Sequence, residues 1–168
     1  LQDEQKIMHL GIAVRGEAVA LSAMESGAFE TMQLANSIVD QRMTGNVLKF
    51  AQEKNIGIIN RSVLLKGALT PARKNLPESL VDLKKNADLA EVIAKSHGID
   101  LPTLAIRYVL SNTAVSTALI GTVNANRIAS ALEALAAGPL PEEILNQLQE
   151  LAITDPAQID PAQWPKVD

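Results

Sequence analysis

Four short apolar runs divide the chain, and each is bounded by glycine, asparagine or charged residues. Runs of this length with such boundaries are typical of β-strands, and near-continuous apolar runs favour strands that are covered on both faces. The strands predicted from these runs span residues 7–14, 29–36, 56–61 and 116–121.

Between and after these runs, apolar residues recur at the spacing of one helix face. The third run is followed by a polar loop and then by two helical segments, the second of which ends at Gly98, a residue suited to a helix C-terminus. Asp100 and Pro102 suit the cap and first turn of the next helix. The predicted helical segments are 16–27, 45–57, 78–85, 87–98, 100–112, 124–138 and 141–151.

This alternation of strands and helices predicts an α/β fold with a parallel sheet and right-handed crossovers. Four such units could form a small open sheet or half of an eight-stranded barrel, and the pattern leaves both possibilities open. In either fold, binding sites collect at the carboxyl ends of the strands. The candidate positions at those ends are residues 13–15, Gln33, Asn36, Arg61, Ser62, Gly121 and Thr122.

Composition narrows the classes of protein that fit. With 168 residues, of which 47% are hydrophobic, the chain suits a single globular domain, residues 1–168. The net charge of −4 and the lack of a basic run give no indication of nucleic acid or a membrane as partner. The sequence shows neither a membrane-spanning apolar stretch nor a signal-peptide pattern, so we expect a cytoplasmic protein. Without cysteine, and with His9 and His97 far apart, we expect no disulfide and no metal site.

Five segments, in this order and at these spacings, resemble the second half of an aldo/keto reductase. The resemblance runs from Lys6 to Leu151 and implies a (β/α) TIM-barrel type fold in which the four strands are strands five to eight, a half barrel. Residues 152–168 would then form a C-terminal tail. The segments are LGIAV, FETMQLANSIVDQR, GIINRSVLLKGALT, LPTLAIRYVLSN and ALIGTVNANRI.

The resemblance further implies that NADP(H) lies across the carboxyl ends of these strands. Gln33 would hydrogen-bond the carboxamide, and Arg61 stands where the family usually has an aromatic side chain that stacks on the nicotinamide, a contact that an arginine plane can also make. Segment 62–67 would embrace the pyrophosphate, and Arg127 would pair with the adenosine 2′-phosphate. We expect Gln33, Ser62 and Arg127 to line one groove. The implied cofactor-binding residues are Gln33, Arg61, Ser62, Leu64, Lys66, Gly67, Gly121, Thr122 and Arg127.

The family's catalytic residues come from the first half of the barrel and have no counterpart in this sequence. Tyr108, the only tyrosine, lies in a helical segment and does not match the catalytic tyrosine, so we expect it to pack. The resemblance therefore implies an NADP(H)-dependent oxidoreductase that reduces a carbonyl or sugar substrate, represented here by its cofactor-binding half and inactive alone. We expect a fragment that needs the missing N-terminal half or self-association. A non-catalytic nucleotide-binding or regulatory module on the same fold is the alternative.

Overall fold

A computed structural model describes residues 1–165 as four parallel strands that alternate with helices. Residues 166–168, the end of the predicted tail, lie outside the described part of the chain. The strands are β1 (Gly11–Ala13), β2 (Thr31–Ala35), β3 (Gly57–Arg61) and β4 (Val115–Ala118). The helices are α1 (Glu17–Glu25), α2 (Asn46–Glu53), α3 (Val81–Ser96), α4 (Leu101–Leu110), α5 (Ala125–Ala136), α6 (Glu142–Gln149) and α7 (Pro156–Ile159), and two 3₁₀ helices, Leu65–Gly67 and Pro71–Asn75, follow β3.

The strands form one sheet in the order β1-β2-β3-β4, so each strand pairs with the next one along the chain. Gln33 of β2 lies opposite Ala13 of β1 and Ile59 of β3. A register shift next to Ile58 interrupts the pairing of β3 with β4, and the Ile58 amide donates instead to Oγ of Ser116 at 3.0 Å. This sequential parallel order brings the carboxyl ends of all four strands to one edge, as in consecutive β-α-β units of a barrel.

The two faces of the sheet differ in burial. Met32, Leu34 and Ile58 are fully buried against the helix layer, and burial of such a side chain contributes about 1.5–3 kcal/mol to stability. The alternate residues Gln33 and Ile59 remain partly exposed on the opposite face. The expectation that both faces are covered is therefore wrong within residues 1–165. The buried face of the strands is mainly apolar, the open face mixes polar and apolar residues, and the described helices pack on the apolar face.

The C-terminal tail packs on the helix layer. Ile159 is buried in the core cluster that α3, α4 and α6 share, and Trp164 packs against the same cluster. The Trp164 Nε1 donates to the Gln158 carbonyl at 3.1 Å, while the Gln158 side chain donates to the Ser79 carbonyl at 3.0 Å and accepts from the Leu83 amide at 3.3 Å. These contacts hold the tail in place next to the start of α3.

Two local predictions are wrong. The two helices expected within 78–98 form the single helix α3, because Asn86 does not break the helix and instead donates from its side chain to the Leu151 carbonyl at 3.0 Å. The first strand begins at Gly11 rather than at Ile7, and Met8 is 84% exposed. His9 therefore lies outside the sheet, where its Nδ1 is 2.9 Å from Oε2 of Glu30.

None of the helices within residues 1–165 combines the length and the apolar character needed to cross a membrane.

Candidate functional site

Buried polar groups tie the ends of β2 and β3 together. Asn60 is fully buried, and its Nδ2 donates to the Asn36 carbonyl at 3.0 Å and to the Arg61 carbonyl at 3.1 Å. Oδ1 of Asn36 in turn accepts from the Thr44 hydroxyl at 3.1 Å. An unsatisfied buried polar group is costly, so these bonds fix the geometry of the carboxyl edge. The side-chain oxygen of Asn60 has no partner among the described residues.

Four of the six residues that follow β3 have a left-handed backbone conformation. Ser62, Leu65 and Lys66 have φ values of 66°, 39° and 51°, and Gly67 has a φ of 94°. Non-glycine residues rarely adopt this conformation, and such strain collects at functional sites. At Gly67, glycine is the residue that adopts it without a steric penalty.

Some backbone amides of this loop are satisfied internally and others are open. The Leu65 amide donates to the Ser62 carbonyl and the Gly67 amide donates to the Leu64 carbonyl, both at 2.9 Å. The amides of Val63, Leu64 and Lys66 have no backbone acceptor within residues 1–165. Backbone amides that lack an internal acceptor, beside left-handed residues, are donors that an anion can use.

The groove beside this loop has a volume of about 310 Å³, which suits part of a dinucleotide. We call it the loop groove. Its walls are the loop after β3, the segment after β4 and the first turn of α5. It brings together six of the nine predicted residues: Ser62, Leu64, Lys66, Gly67, Gly121 and Arg127.

The loop groove is electropositive. Lys66 and Arg127 are both exposed side chains on its walls, and no acidic residue is among the described residues that line it. Arg127 lies in the first turn of α5, whose cap is the Asn124 side chain accepting from the Asn126 amide at 2.9 Å. The partial positive charge at that helix end adds to the two side-chain charges. A phosphate group is the chemistry that this groove fits best.

The other three predicted residues lie elsewhere. Gln33 lies on the partly exposed face of the sheet and does not line the loop groove, so of the three residues expected in one groove only Ser62 and Arg127 share it. The Gln33 side chain makes no hydrogen bond within the described part of the chain. Thr122 lines a separate, mainly apolar groove between α4 and α5. Arg61 points away from the loop groove, toward β1.

Arg61 belongs to a small pocket, the arginine pocket, at the ends of the first three strands. Its Nη2 donates to the Val14 carbonyl at 3.2 Å and its Nη1 donates to Oγ of Ser62 at 3.3 Å. The pocket has a volume of about 40 Å³. The charged residues that line it are Arg15, Arg42, Arg61, Asp40 and Asp160.

Among the arginines of the arginine pocket, Arg42 is the one whose charge a carboxylate neutralises most directly. Its Nε and Nη2 donate to the two carboxylate oxygens of Asp40 at 2.8 and 2.9 Å, a bidentate pair. The hydrogen bond to Asp40 is the main cause that raises the pKa of Arg42, partial burial opposes it, and the charges of Asp40 and Asp160 add to the rise. Asp40, Arg42 and Asp160 were not among the predicted site residues. The sequence feature that could have pointed to two of them is Asp-Gln-Arg, shortly after the end of β2.

Tyr108 packs inside the helix layer, as predicted. Its side chain is buried in α4, and burial raises the pKa of the phenol to about 12, an effect that a hydrogen bond with Thr44 only partly offsets. A phenol in that environment keeps its proton at neutral pH. His97 lies at the C-terminal end of α3, also as predicted. Among residues 1–165, no group of three or more histidine, cysteine or acidic side chains is placed to hold a metal ion.

Comparison with known proteins identifies the fold and the family. The family model described as the aldo/keto reductase family matches residues 1–153. Two solved structures of aldo-keto reductase AKR11C1 from Bacillus halodurans are similar, each at 24% sequence identity and over 91% of this chain. The holo form aligns with a TM-score of 0.75 over 53% of its own chain, and the apo form with 0.76 over 54%. No curated protein sequence matches the chain.

The comparisons also establish how much of the fold is present. At this identity the solved structures show the fold alone, a parallel α/β fold of the TIM-barrel type. The chain spans about half the length of these structures. The family match confirms the resemblance found in the sequence and extends it at both ends, from residue 1 to residue 153.

Proposed function

The chain belongs to the aldo/keto reductase family, and on that basis we propose that it supplies the NADP(H)-binding half of a carbonyl or sugar reductase. In this proposal β1 to β4 are the fifth to eighth strands of a TIM barrel. The observation that carries the proposal is the loop groove, where open backbone amides and two cationic side chains surround a space without acidic residues. That combination fits a phosphorylated ligand.

The phosphate groups of NADP(H) would occupy the loop groove. The amides of Val63, Leu64 and Lys66 would donate to the pyrophosphate, and the Lys66 ammonium would add charge. Arg127 would pair with the adenosine 2′-phosphate, because its planar guanidinium matches two phosphate oxygens. Gly121 contributes no side chain at the wall opposite the loop, which leaves room for the backbone to approach the ligand.

The nicotinamide would lie toward β2, beyond Ser62. Gln33 has donor and acceptor groups without partners among the described residues, and an amide can bond the carboxamide in both directions. Arg61 would offer a planar surface for stacking. Its hydrogen bonds to Val14 and Ser62 already hold that plane at the end of β3.

Bound NADPH would supply the hydride for carbonyl reduction. This chain would bind and orient the cofactor, and the proton for the carbonyl oxygen must come from another segment. Tyr108 is buried in the helix layer, and His9 and His97 lie away from the carboxyl edge. We therefore expect no turnover by residues 1–168 alone.

Exposed apolar surface supports a missing partner. Ile128, Leu132 and Leu135 of α5 are 51%, 61% and 56% exposed. The strand edges of β1 and β4 are unpaired among the described residues, and the face that carries Gln33 is partly open. A half barrel of four further β/α units would cover all three surfaces, and self-association would cover part of them.

The direct test is a titration of NADPH with the chain, followed by nicotinamide fluorescence. We expect saturable binding that adenosine 2′,5′-bisphosphate competes away. Lys66→Ala should weaken it, while Lys49→Ala, which removes the same charge from the exposed surface of α2, should not. Absence of saturable binding, or equal effects of the two substitutions, would contradict the assignment of the loop groove.

A second assay separates the enzyme from the regulatory alternative. NADPH oxidation is measured with a panel of aldehydes, for residues 1–168 alone and after mixing with a separately expressed N-terminal half. Turnover only on mixing supports the reductase. Turnover by the chain alone contradicts the need for a second half, and NADPH binding without turnover in the completed barrel favours the non-catalytic module.

A further inference from the structure

The arginine pocket collects cations from three consecutive strand ends. Arg15 follows β1, Arg42 follows β2 and Arg61 is the last residue of β3. Because the strands are parallel and sequential, these three positions meet at the same edge of the sheet. Like charges so close together repel one another, so the arrangement is stable only with negative charge nearby.

The carboxylates of the pocket compensate the three guanidinium groups unequally. Asp40 is almost completely buried and is engaged by Arg42 through both oxygens. Arg61 has no carboxylate within ion-pair distance in the part of the chain that the structure describes. Among residues 1–165, its side chain bonds only the neutral oxygens of Val14 and Ser62. A partly buried guanidinium with unused donors is a ready partner for an anionic ligand.

The tail of the chain places one more carboxylate in the pocket. Ile159 is buried in the core, and the next residue, Asp160, lines the pocket. Oδ1 of Asp160 lies 3.9 Å from Nη1 of Arg15, which is longer than a hydrogen bond. The same oxygen accepts from the Ala162 amide at 3.1 Å. Asp160 thus sits where an anion is attracted but makes no direct hydrogen bond to an arginine within residues 1–165.

We propose that the arginine pocket is a binding site for the carboxylate or phosphate group of an organic anion, and that the Asp160 carboxylate is an internal occupant that this ligand displaces. The Asp160 side chain can leave by rotation about its own bonds, because Ile159 and not Asp160 anchors the tail. The vacated space then presents the free donors of Arg15 and Arg61 to the ligand. Arginine pairs with two oxygens of either group.

The binding site stands independently of the cofactor, and only its role as a substrate subsite rests on the proposed function. In the proposed reductase, one side of Arg61 would contact the nicotinamide. An anion in the arginine pocket would then lie close to the point of hydride transfer. The substrate class would then be a carbonyl compound that also carries a carboxylate or phosphate group.

The experiment measures anion binding by residues 1–168 without any cofactor. Nuclear magnetic resonance follows the side-chain Nε–Hε signals of the arginines during titration with acetate or with inorganic phosphate, at an ionic strength held constant with chloride. Arg61→Gln assigns one of these signals and removes one ligand of the anion. The two titrations distinguish a carboxylate-selective site from a phosphate-selective one.

The variant that tests the internal occupant is Asp160→Asn, and its matched control is Asp3→Asn, which removes an exposed charge far from the pocket. If the Asp160 carboxylate occupies the pocket most of the time, removing its charge should tighten anion binding by roughly threefold or more. We expect saturable shifts of the Arg15 and Arg61 signals, tighter binding in Asp160→Asn, unchanged binding in Asp3→Asn and loss in Arg61→Gln. The proposal is overturned by shifts that do not saturate with either anion, or by equal affinity in the Asp160→Asn and Asp3→Asn chains. Backbone amide spectra of each variant report that its fold is retained.

Discussion

Arg127 offers a sharp test of cofactor choice, because NADPH differs from NADH by the single phosphate group that this arginine is proposed to bind. Arg127→Ala should weaken the binding of NADPH by residues 1–168 and leave the binding of NADH nearly unchanged. The contrast between the two nucleotides is the informative quantity, since a general disturbance of the loop groove would weaken both.

The magnitude follows from the surroundings of Arg127. A hydrogen bond to a charged group contributes about 1.5–3 kcal/mol, but Arg127 is exposed in the first turn of α5, where solvent screens the interaction. The lower end of that range therefore applies. Because about 1.4 kcal/mol corresponds to tenfold in Kd, the substitution should raise the Kd for NADPH by about tenfold.

The measurement is a pair of fluorescence titrations, with NADPH and with NADH, for the parent chain, Arg127→Ala and the control Lys49→Ala. Screening also predicts that the difference between the parent chain and Arg127→Ala shrinks as salt is added. Two results would refute the reasoning: equal weakening of both nucleotides by Arg127→Ala, or a loss of NADPH binding that Lys49→Ala reproduces.

Three further predictions concern stability and association. The phenol of Tyr108, with its pKa raised by burial from the ordinary 10 to about 12, should stay un-ionised near pH 11 in the folded chain but not in denaturant, as ultraviolet absorbance of phenolate measures. The unfolded chain loses that proton first, so stability is fully present below pH 10 and should fall by on the order of 2–3 kcal/mol as the pH rises through 12. Asn60→Ala removes the donors to the carbonyls of Asn36 and Arg61 and should lower the free energy of unfolding by about 1–3 kcal/mol. Asn60→Asp places an oxygen beside both carbonyls and should lower the free energy of unfolding further. Urea denaturation measures both changes. Leu132→Gln, at a position 61% exposed on α5, should change the free energy of unfolding by less than about 1 kcal/mol yet shift the chain toward monomer in sedimentation.

Each of these has a result that would contradict it. Phenolate absorbance at the same pH in folded and denatured chains would show that Tyr108 is solvated. Equal stability of the Asn60→Ala and Asn60→Asp chains would show that the contacts with the two carbonyls do not fix the geometry of that edge. An unchanged sedimentation profile in Leu132→Gln would show that the apolar face of α5 takes no part in association.

The sheet was predictable from the sequence because its signal is local. The limits of β2 and β3 agree with the predicted strands to within a few residues, since apolar runs between polar residues specify them. The first strand was overestimated because Ile7, Met8 and Leu10 are apolar like a strand, yet they are exposed at the end of the chain. Periodicity records the residue type and cannot record whether a neighbouring strand is there to pair with it.

The loop groove could be predicted from the sequence to a greater extent than the arginine pocket. The loop after β3 and Arg127 come from segments that resemble one family, so a resemblance suffices to nominate them, although the roles assigned to them stay predictions. The resemblance nominated only Arg61 among the residues of the arginine pocket, and it assigned Arg61 to the nicotinamide. Arg15 was identified only as a strand-end residue, and Arg42 lies beyond the predicted end of its strand.

What places Asp160 among these arginines is the path of the tail, and that path depends on long-range packing. Ile159 is buried against the helix layer, and Gln158 and Trp164 add hydrogen bonds that hold the tail beside α3. None of these contacts is encoded by a local pattern, because the aspartate lies far along the chain from every arginine it approaches. The same argument explains why the pocket is the more informative site to test. A parallel sheet brings strand-end residues together in any protein of this class, so converging cations alone indicate little. The carboxylate of Asp160 is different, because a separately anchored segment places it 3.9 Å from an arginine, beyond hydrogen-bond distance. Asp160→Asn can either support or overturn the role proposed for that arrangement.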